Sequence, residues 1–262
     1  MPSIHPLALV SPDAVLGEGV EVGPFCVVHP GVVIGEGTRL LSHVVVHTGS
    51  TVGKRNVIHE GAVIGGTPQD RKFSGEPSRL VVGDDNIIRE CVTLHRATGE
   101  GAATVIGSGC FFMACSHVGH NSTVQDHVTM ANQVALGGYS TVEVGANIGG
   151  LSGVHQFARV GRYAMVAGFT RVVQDVPPYM IVAGVDQEVA DINAVGLRRM
   201  GITQESRMAL HKACKLLYKS QLGTTNAMET VRREVNLTPE VLILLEFEER
   251  RARGKNGRGD QP

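Results

Sequence analysis

Tryptophan is absent from this 262-residue chain, and aromatic residues make up only 4% of it. With so few large rings, the core must be assembled from many small aliphatics in something thin and regular. No run of 18 apolar residues occurs, which excludes a helix that spans a membrane. The opening residues show no basic–apolar–small leader, so a secretory signal is not expected. Neither sign of charge dominates: 24 Lys and Arg against 25 Asp and Glu leave a net charge of −1. That balance argues against nucleic-acid binding through bulk positive charge. The five cysteines (Cys26, Cys91, Cys110, Cys115, Cys214) never stand in C-x-x-C spacing. A disulfide scaffold or a four-thiolate zinc site is not expected, and a reducing cytoplasm is the default location.

What the chain has in excess is glycine, 33 residues, and a period of six. Every sixth residue from Ile4 to Val172 gives 29 positions, of which 26 are aliphatic, Met or Phe. With 42% of the chain apolar, chance would supply about twelve. A helix would show spacings of three and four, and an ordinary strand spacings of two. Glycine often follows the apolar residue, as at Gly17, Gly35, Gly107 and Gly161, where a sharp turn with close backbone approach requires it. Short strands and turns at this spacing predict a parallel β-helix of triangular section, three hexapeptides to an 18-residue coil. The three exceptions, Asp70, Glu76 and Glu100, fall in 67–79 and 97–104, which read as loops extruded from the coil.

The repeat stops near Pro177 and Pro178, and the composition changes from about residue 187. Residues 186–262 read as a C-terminal helical domain after a solenoid domain at 1–185. Leu210, Cys214, Leu217 and Tyr218 form an apolar stripe, Thr203 suits a helix start, and Pro239 suits a first turn. The last nine residues, GKNGRGDQP, are expected to fray.

Residues 18 apart stack on neighbouring coils about 4.8 Å apart. His120 therefore stacks with Gly138, and Gly138 with Gln156. An imidazole beside an unhindered glycine N–H suits a general base paired with an oxyanion donor; turn formation is the other reading of both residues. His155 and Gln156 can line the same groove or serve the turn. A zinc site of the γ-carbonic anhydrase kind would need three converging nitrogens, and His117 and His120 alone do not supply it, so no metal is expected. Arg198, Arg199, Lys212, Lys215 and Lys219 can dock an acidic partner or form a solvated helix face.

PQDRKFSGEPSRLVVGDDNIIRE (68–90), VTLHRAT (92–98), SHVGHNSTV (116–124), VHQF (154–157), QDVPPY (174–179) and NAVGLRRMG (193–201) give the chain a specific resemblance. It resembles the acyl-[acyl-carrier-protein]–UDP-N-acetylglucosamine O-acyltransferases, which open lipid A synthesis, and the resemblance covers nearly the whole length. It implies a left-handed β-helix, a cytoplasmic homotrimer with sites between subunits, and 3-hydroxyacyl transfer from acyl carrier protein to position 3 of a UDP-glucosamine-type sugar. By the same resemblance His120 is the general base and Gly138 the oxyanion donor. Gln69, Asp70 and Lys72 contact the sugar nucleotide, His117, His155 and Gln156 line the groove, and Asn193 and Arg199 meet the nucleotide end. Met165, Gly168 and Arg171 line the far end of the acyl-chain groove, where Arg171 can set chain length or turn to solvent. No cofactor is implied beyond the phosphopantetheine carried by the donor.

Three residues depart from the family pattern: Asn121 replaces an acidic residue after the catalytic histidine, Tyr139 a groove histidine, and Val195 a glutamate near the nucleotide. A neutral Asn121 should leave a weaker base, which suits a 3-amino acceptor, since an amine needs less activation than a hydroxyl. The rival readings are an acetyl-CoA-dependent hexapeptide acyltransferase and a non-catalytic member that binds the sugar nucleotide or the carrier.

Overall fold

The computed structural model describes residues 1–262. Strands mostly two residues long are separated by four-residue turns, and each strand pairs in parallel with its counterpart one coil away. Three long sheets result, of eleven, nine and eight strands, one for each side of a triangular prism. In every strand pair one residue points in and its neighbour points out. Val118, Leu136 and Val154 are thus buried in register, while His117, Ala135 and Gly153 face outward. Thirty-eight buried residues, nearly all aliphatic, make a single column of core. Each fully buried Val, Ile or Leu contributes roughly 1.5–3 kcal/mol, and a column of such side chains stabilises a coil that Trp would not fit.

The two extruded segments keep the register because their lengths are multiples of six. Leu80 pairs with Ser50, an offset of 30 where a plain coil gives 18, and Thr104 pairs with Leu80, an offset of 24. Both loops are shorter than the sequence suggested. Arg79 and Ala103–Thr104 already lie in strands, because their backbones join the ladder as soon as the chain returns to the coil. The glycines after inward aliphatics serve close approach more than unusual dihedrals. A Cβ on Gly35 would lie 2.6 Å from Gly53 backbone, and one on Gly161 would lie 2.5 Å from the nitrogen of Pro178.

Past the prolines, Met180–Ala183 adds in parallel to the last coil, and Glu188–Ile192 pairs with it antiparallel, so the sheet runs through residue 192 rather than ending near 185. Four helices follow: α1 (Ala194–Arg199), α2 (Gln204–Tyr218), α3 (Thr224–Glu234) and α4 (Pro239–Arg253). Thr203 caps α2 by accepting from Ser206 N–H, and Pro239 occupies the first turn of α4. Leu210 and Cys214 of α2 pack with Leu244 and Leu245 in a second core that includes Tyr179 and Met180 of the solenoid end. No helix is long and apolar enough to cross a membrane.

The last residues do not fray. Arg258 is buried, Gly259 N–H donates to Asp175 Oδ2 at 2.7 Å, and Asp260 pairs with Arg159 at 2.6 Å and with Arg250. The coils themselves pair Arg159 with Glu143 and Asp175 Oδ1 with Arg159 N–H, and the glycine-rich segment folds back to satisfy the polar atoms of Asp175 and Arg159 that remain.

Candidate active site

His120 and Asn121 form the two-residue corner between strands 117–118 and 123–124, and Gly138–Tyr139 and Gln156–Phe157 form the same corner on the next two coils. Asn121 takes φ +59°, a left-handed conformation that Asn tolerates better than most residues. Beside these corners runs a cleft of about 590 Å³ that brings together Gln69, His95, His117, His120, Gly138, His155, Gln156 and Arg171.

Four hydrogen bonds decide the state of His120. Its Nδ1 lies 2.9 Å from Asn121 Oδ1. The same oxygen accepts from Thr98 N–H and Thr98 Oγ1–H, both at 2.9 Å, and Asn121 Nδ2 donates to the Thr98 carbonyl at 3.0 Å. Flipping the amide would set two donors against each other, so the orientation is fixed. An amide oxygen can only accept, so Nδ1 carries a proton, and in the neutral ring Nε2 keeps its lone pair. That nitrogen faces Gly138: a Cβ built there would lie 2.6 Å from it. The Gly138 N–H donates to no protein acceptor, although its carbonyl accepts from Phe157. A free base and a free donor therefore stand one rung apart in an open cleft.

The corner is braced by both loops. Glu76 accepts from Gly99 N–H and Ser74 N–H, each at 2.9 Å, and these bonds hold its carboxyl down to about 2. Loop 67–78 is thereby tied to loop 96–102, and through Thr98 to the partner of His120. Tyr139 stands edge-on to the His120 ring at 5.4 Å and stacks on Phe157 at 5.0 Å. His117 Nδ1 meets Thr93 Oγ1 at 2.7 Å, and His95 stands edge-on to His117. Burial lowers the pKa of both, His95 to about 4, and so disfavours the charged form of each ring.

Gln69, His117, His120, Gly138, His155, Gln156 and Arg171 line the cleft; the other expected residues lie outside it. Asp70 and Lys72 sit on the loop above, with Asp70 Oδ1 accepting from Lys72 N–H at 2.9 Å. Asn193 caps α1 through Gly196 N–H, Arg199 is exposed at the end of that helix, and Val195 is exposed on it. Met165 belongs to a different sheet from Arg171, because the coil turns a corner between them, and Gly168 is exposed just past Met165. Sequence reasoning missed Thr98 and Arg258, which act across 23 and 103 residues. Thr98 ends the motif at 92–98, but nothing local marks its contact with Asn121 or that of Arg258 with His155. His117 and His120 turn their Nδ1 atoms to Thr93 and Asn121.

A family description, UDP N-acetylglucosamine O-acyltransferase domain 2, matches residues 175–255, and the bacterial transferase hexapeptide repeat matches residues 13–48. The acyl-[acyl-carrier-protein]–UDP-N-acetylglucosamine O-acyltransferase of Myxococcus xanthus is 46% identical over 97% of this chain and 99% of its own length. That of Anaeromyxobacter sp. (strain K) is also 46% identical, over 94% and 96%. The chain belongs to this family. Among solved structures, the UDP-N-acetylglucosamine acyltransferase of Bacteroides fragilis superposes with a TM-score of 0.91 at 37% identity, covering 93% of this chain and 96% of that one. The Francisella novicida enzyme gives 0.87 at 35%, covering 93% and 90%. Family members of this kind fold as a left-handed β-helix followed by helices, and the present chain does the same.

Proposed function

We propose that this chain transfers a 3-hydroxyacyl group from acyl carrier protein to the 3-hydroxyl of UDP-N-acetylglucosamine, with His120 as general base and Gly138 as oxyanion donor. The observation that carries the mechanism is the free Nε2 of His120 beside the free N–H of Gly138. Nε2 takes the proton of the sugar hydroxyl as its oxygen attacks the thioester carbon. Negative charge moves to the carbonyl oxygen, where the Gly138 N–H receives it. The tetrahedral centre then collapses, the carbon–sulfur bond breaks, and the imidazolium returns its proton to the departing thiolate. The scheme needs no metal or organic cofactor, since pantetheine arrives bound to the donor.

Gln69, Asp70 and Lys72 suit the sugar nucleotide from the loop above the cleft. A cytoplasmic homotrimer fits the exposed apolar corner beside Gly168, where Phe169 and Leu151 stack while 73% and 50% exposed. A neighbouring copy there would enclose Met165 and Gly168, and would bring Asn193 and Arg199 toward another chain's nucleotide. Arg198 and Arg199 of α1, Lys212 and Lys215 of α2 and Lys219 at its C-terminal cap are exposed, as docking of an acidic carrier requires.

The neutral Asn121 favours a second reading, in which the acceptor bears a 3-amino group. One experiment serves both: purified protein, acyl carriers of mixed chain length, and the hydroxyl and amino nucleotides in competition, with products identified by mass. Acylated nucleotide supports the transfer reading, and its absence with carrier donors but presence with acetyl-CoA overturns it. Amide in excess of ester supports the second reading, and clear preference for the hydroxyl removes it.

Arg171 stacks above Gly153 at the far end of the cleft and makes no hydrogen bond or ion pair within the chain. A cation there stops an apolar chain, because burying it against methylene groups without a partner is costly. Arg171→Ala is expected to move donor preference two or more carbons longer, at about 0.8 kcal/mol per buried methylene. An unchanged chain-length profile would refute this role.

A further inference from the structure

The segment after α4 reaches two residues that line the cleft, His155 and Val173, through one side chain. It is anchored independently of that side chain: Asp175 N–H donates to Gly257 O at 2.8 Å, Gly259 N–H returns a bond to Asp175, and Asp260 pairs with Arg159. Arg258, 8% exposed, is turned back toward the groove. Its Nη1 donates to the Val173 carbonyl at 2.9 Å and lies 3.1 Å from His155 Nδ1. Its Nε and Nη2 hold Gln261 Oε1 at 2.9 and 2.7 Å, so the guanidinium is clamped on three sides.

A guanidinium has donors only and stays charged. Beside it, the Nδ1 of a neutral imidazole must accept, which puts the ring proton on Nε2. The Gln156 carbonyl lies 2.9 Å from the same Nδ1 and pulls the other way, toward a proton on Nδ1. His155 thus has two tautomers supported by two neighbours, and it differs from His120, whose Nδ1 meets an acceptor alone.

We propose that Arg258 is a positioning residue that selects the Nε2–H tautomer of His155 and so gives the cleft a neutral hydrogen-bond donor on the coil beyond Gly138. The oxygen it meets belongs to a substrate phosphate or amide carbonyl, on either the sugar nucleotide or the pantetheine arm. The tautomer is a property of the protein alone; only its kinetic consequence rests on the acyl-transfer reading. Without Arg258 the Gln156 carbonyl takes over, Nε2 loses its proton, and a donor becomes an acceptor that repels the same oxygen.

The test is Arg258→Met in the full chain, which leaves the Asp175 and Asp260 anchors in place. Nitrogen–proton correlation spectra of histidine-labelled protein should show His155 as Nε2–H in the native chain and Nδ1–H in the variant. Acyl transfer should fall about tenfold in kcat/KM, through the KM of one substrate, and millimolar guanidinium should restore part of it. A rise in the KM of the nucleotide assigns the oxygen to the sugar diphosphate, and a rise in that of the donor assigns it to pantetheine. The same tautomer in both proteins overturns the proposal. So does an activity loss that guanidinium leaves untouched while the melting temperature drops, which would mark a structural role. A tautomer change in protein that transfers no acyl group would leave the proposal standing and remove the proposed activity instead.

Discussion

Replacing His120 by alanine is expected to lower kcat by about 10²–10⁴-fold, with the KM for the sugar nucleotide changed by less than about threefold. The size follows from what Nε2 does in the proposed reaction: it takes a proton that the sugar hydroxyl holds tightly and later gives it to the thiolate. The ring is polarised by a neutral amide rather than a carboxylate, so its base strength rests on the tautomer and on the lone pair facing Gly138. What survives the substitution comes from the Gly138 N–H and from holding the two substrates together. Steady-state transfer from acyl carrier protein measures it. A variant within tenfold of the native rate would mean that another group takes the proton.

The second large effect concerns an added methyl group. Gly138→Ala should cost at least about 10² in kcat, with a melting temperature lowered by several degrees because the methyl presses on the held ring, but with the chain still folded. The new Cβ would meet His120 Nε2 and Cε1 at 2.6 Å and Cδ2 at 3.1 Å. An ordinary side chain would swing away, but this ring is tethered at Nδ1 to an amide that Thr98 holds at three points, with Tyr139 against its edge. The methyl therefore fills the space where the reacting carbonyl must sit. Gly138 has no positive φ, so the backbone accepts alanine and the coil stays folded. In the double variant with His120→Ala the clash is gone, and the combined loss should be little more than that of His120→Ala alone, because the two residues act as a unit. Full additivity would separate the oxyanion donor from the base.

Much of this was legible before any coordinate. A side chain every six residues that cannot be polar is a one-dimensional constraint, and a solenoid is a one-dimensional fold. Stacking follows by adding 18, which is how His120 and Gly138 meet on paper. The same addition fails for Met165 and Arg171: six residues is one side of a triangle, so the two belong to different sheets. Asn121 read alone was a weakened partner for the base. In the fold its oxygen is aimed by Thr98, which sits on an extruded loop whose course no period describes.

The sequence by itself determined the period, the inward column, the coil that stacks a histidine on a glycine, and the family motifs. These are repeated or local patterns, and each can be read within a window of a few coils. Only the tertiary structure decided the tautomers of His120 and His155, the tie between the two loops, and the docking of residues 257–260 onto Asp175 and Arg159. The physical reason is that a hydrogen bond depends on direction as well as proximity. Which atom donates is fixed by partners 23 to 103 residues away, and only the folded chain brings those atoms within 3.1 Å.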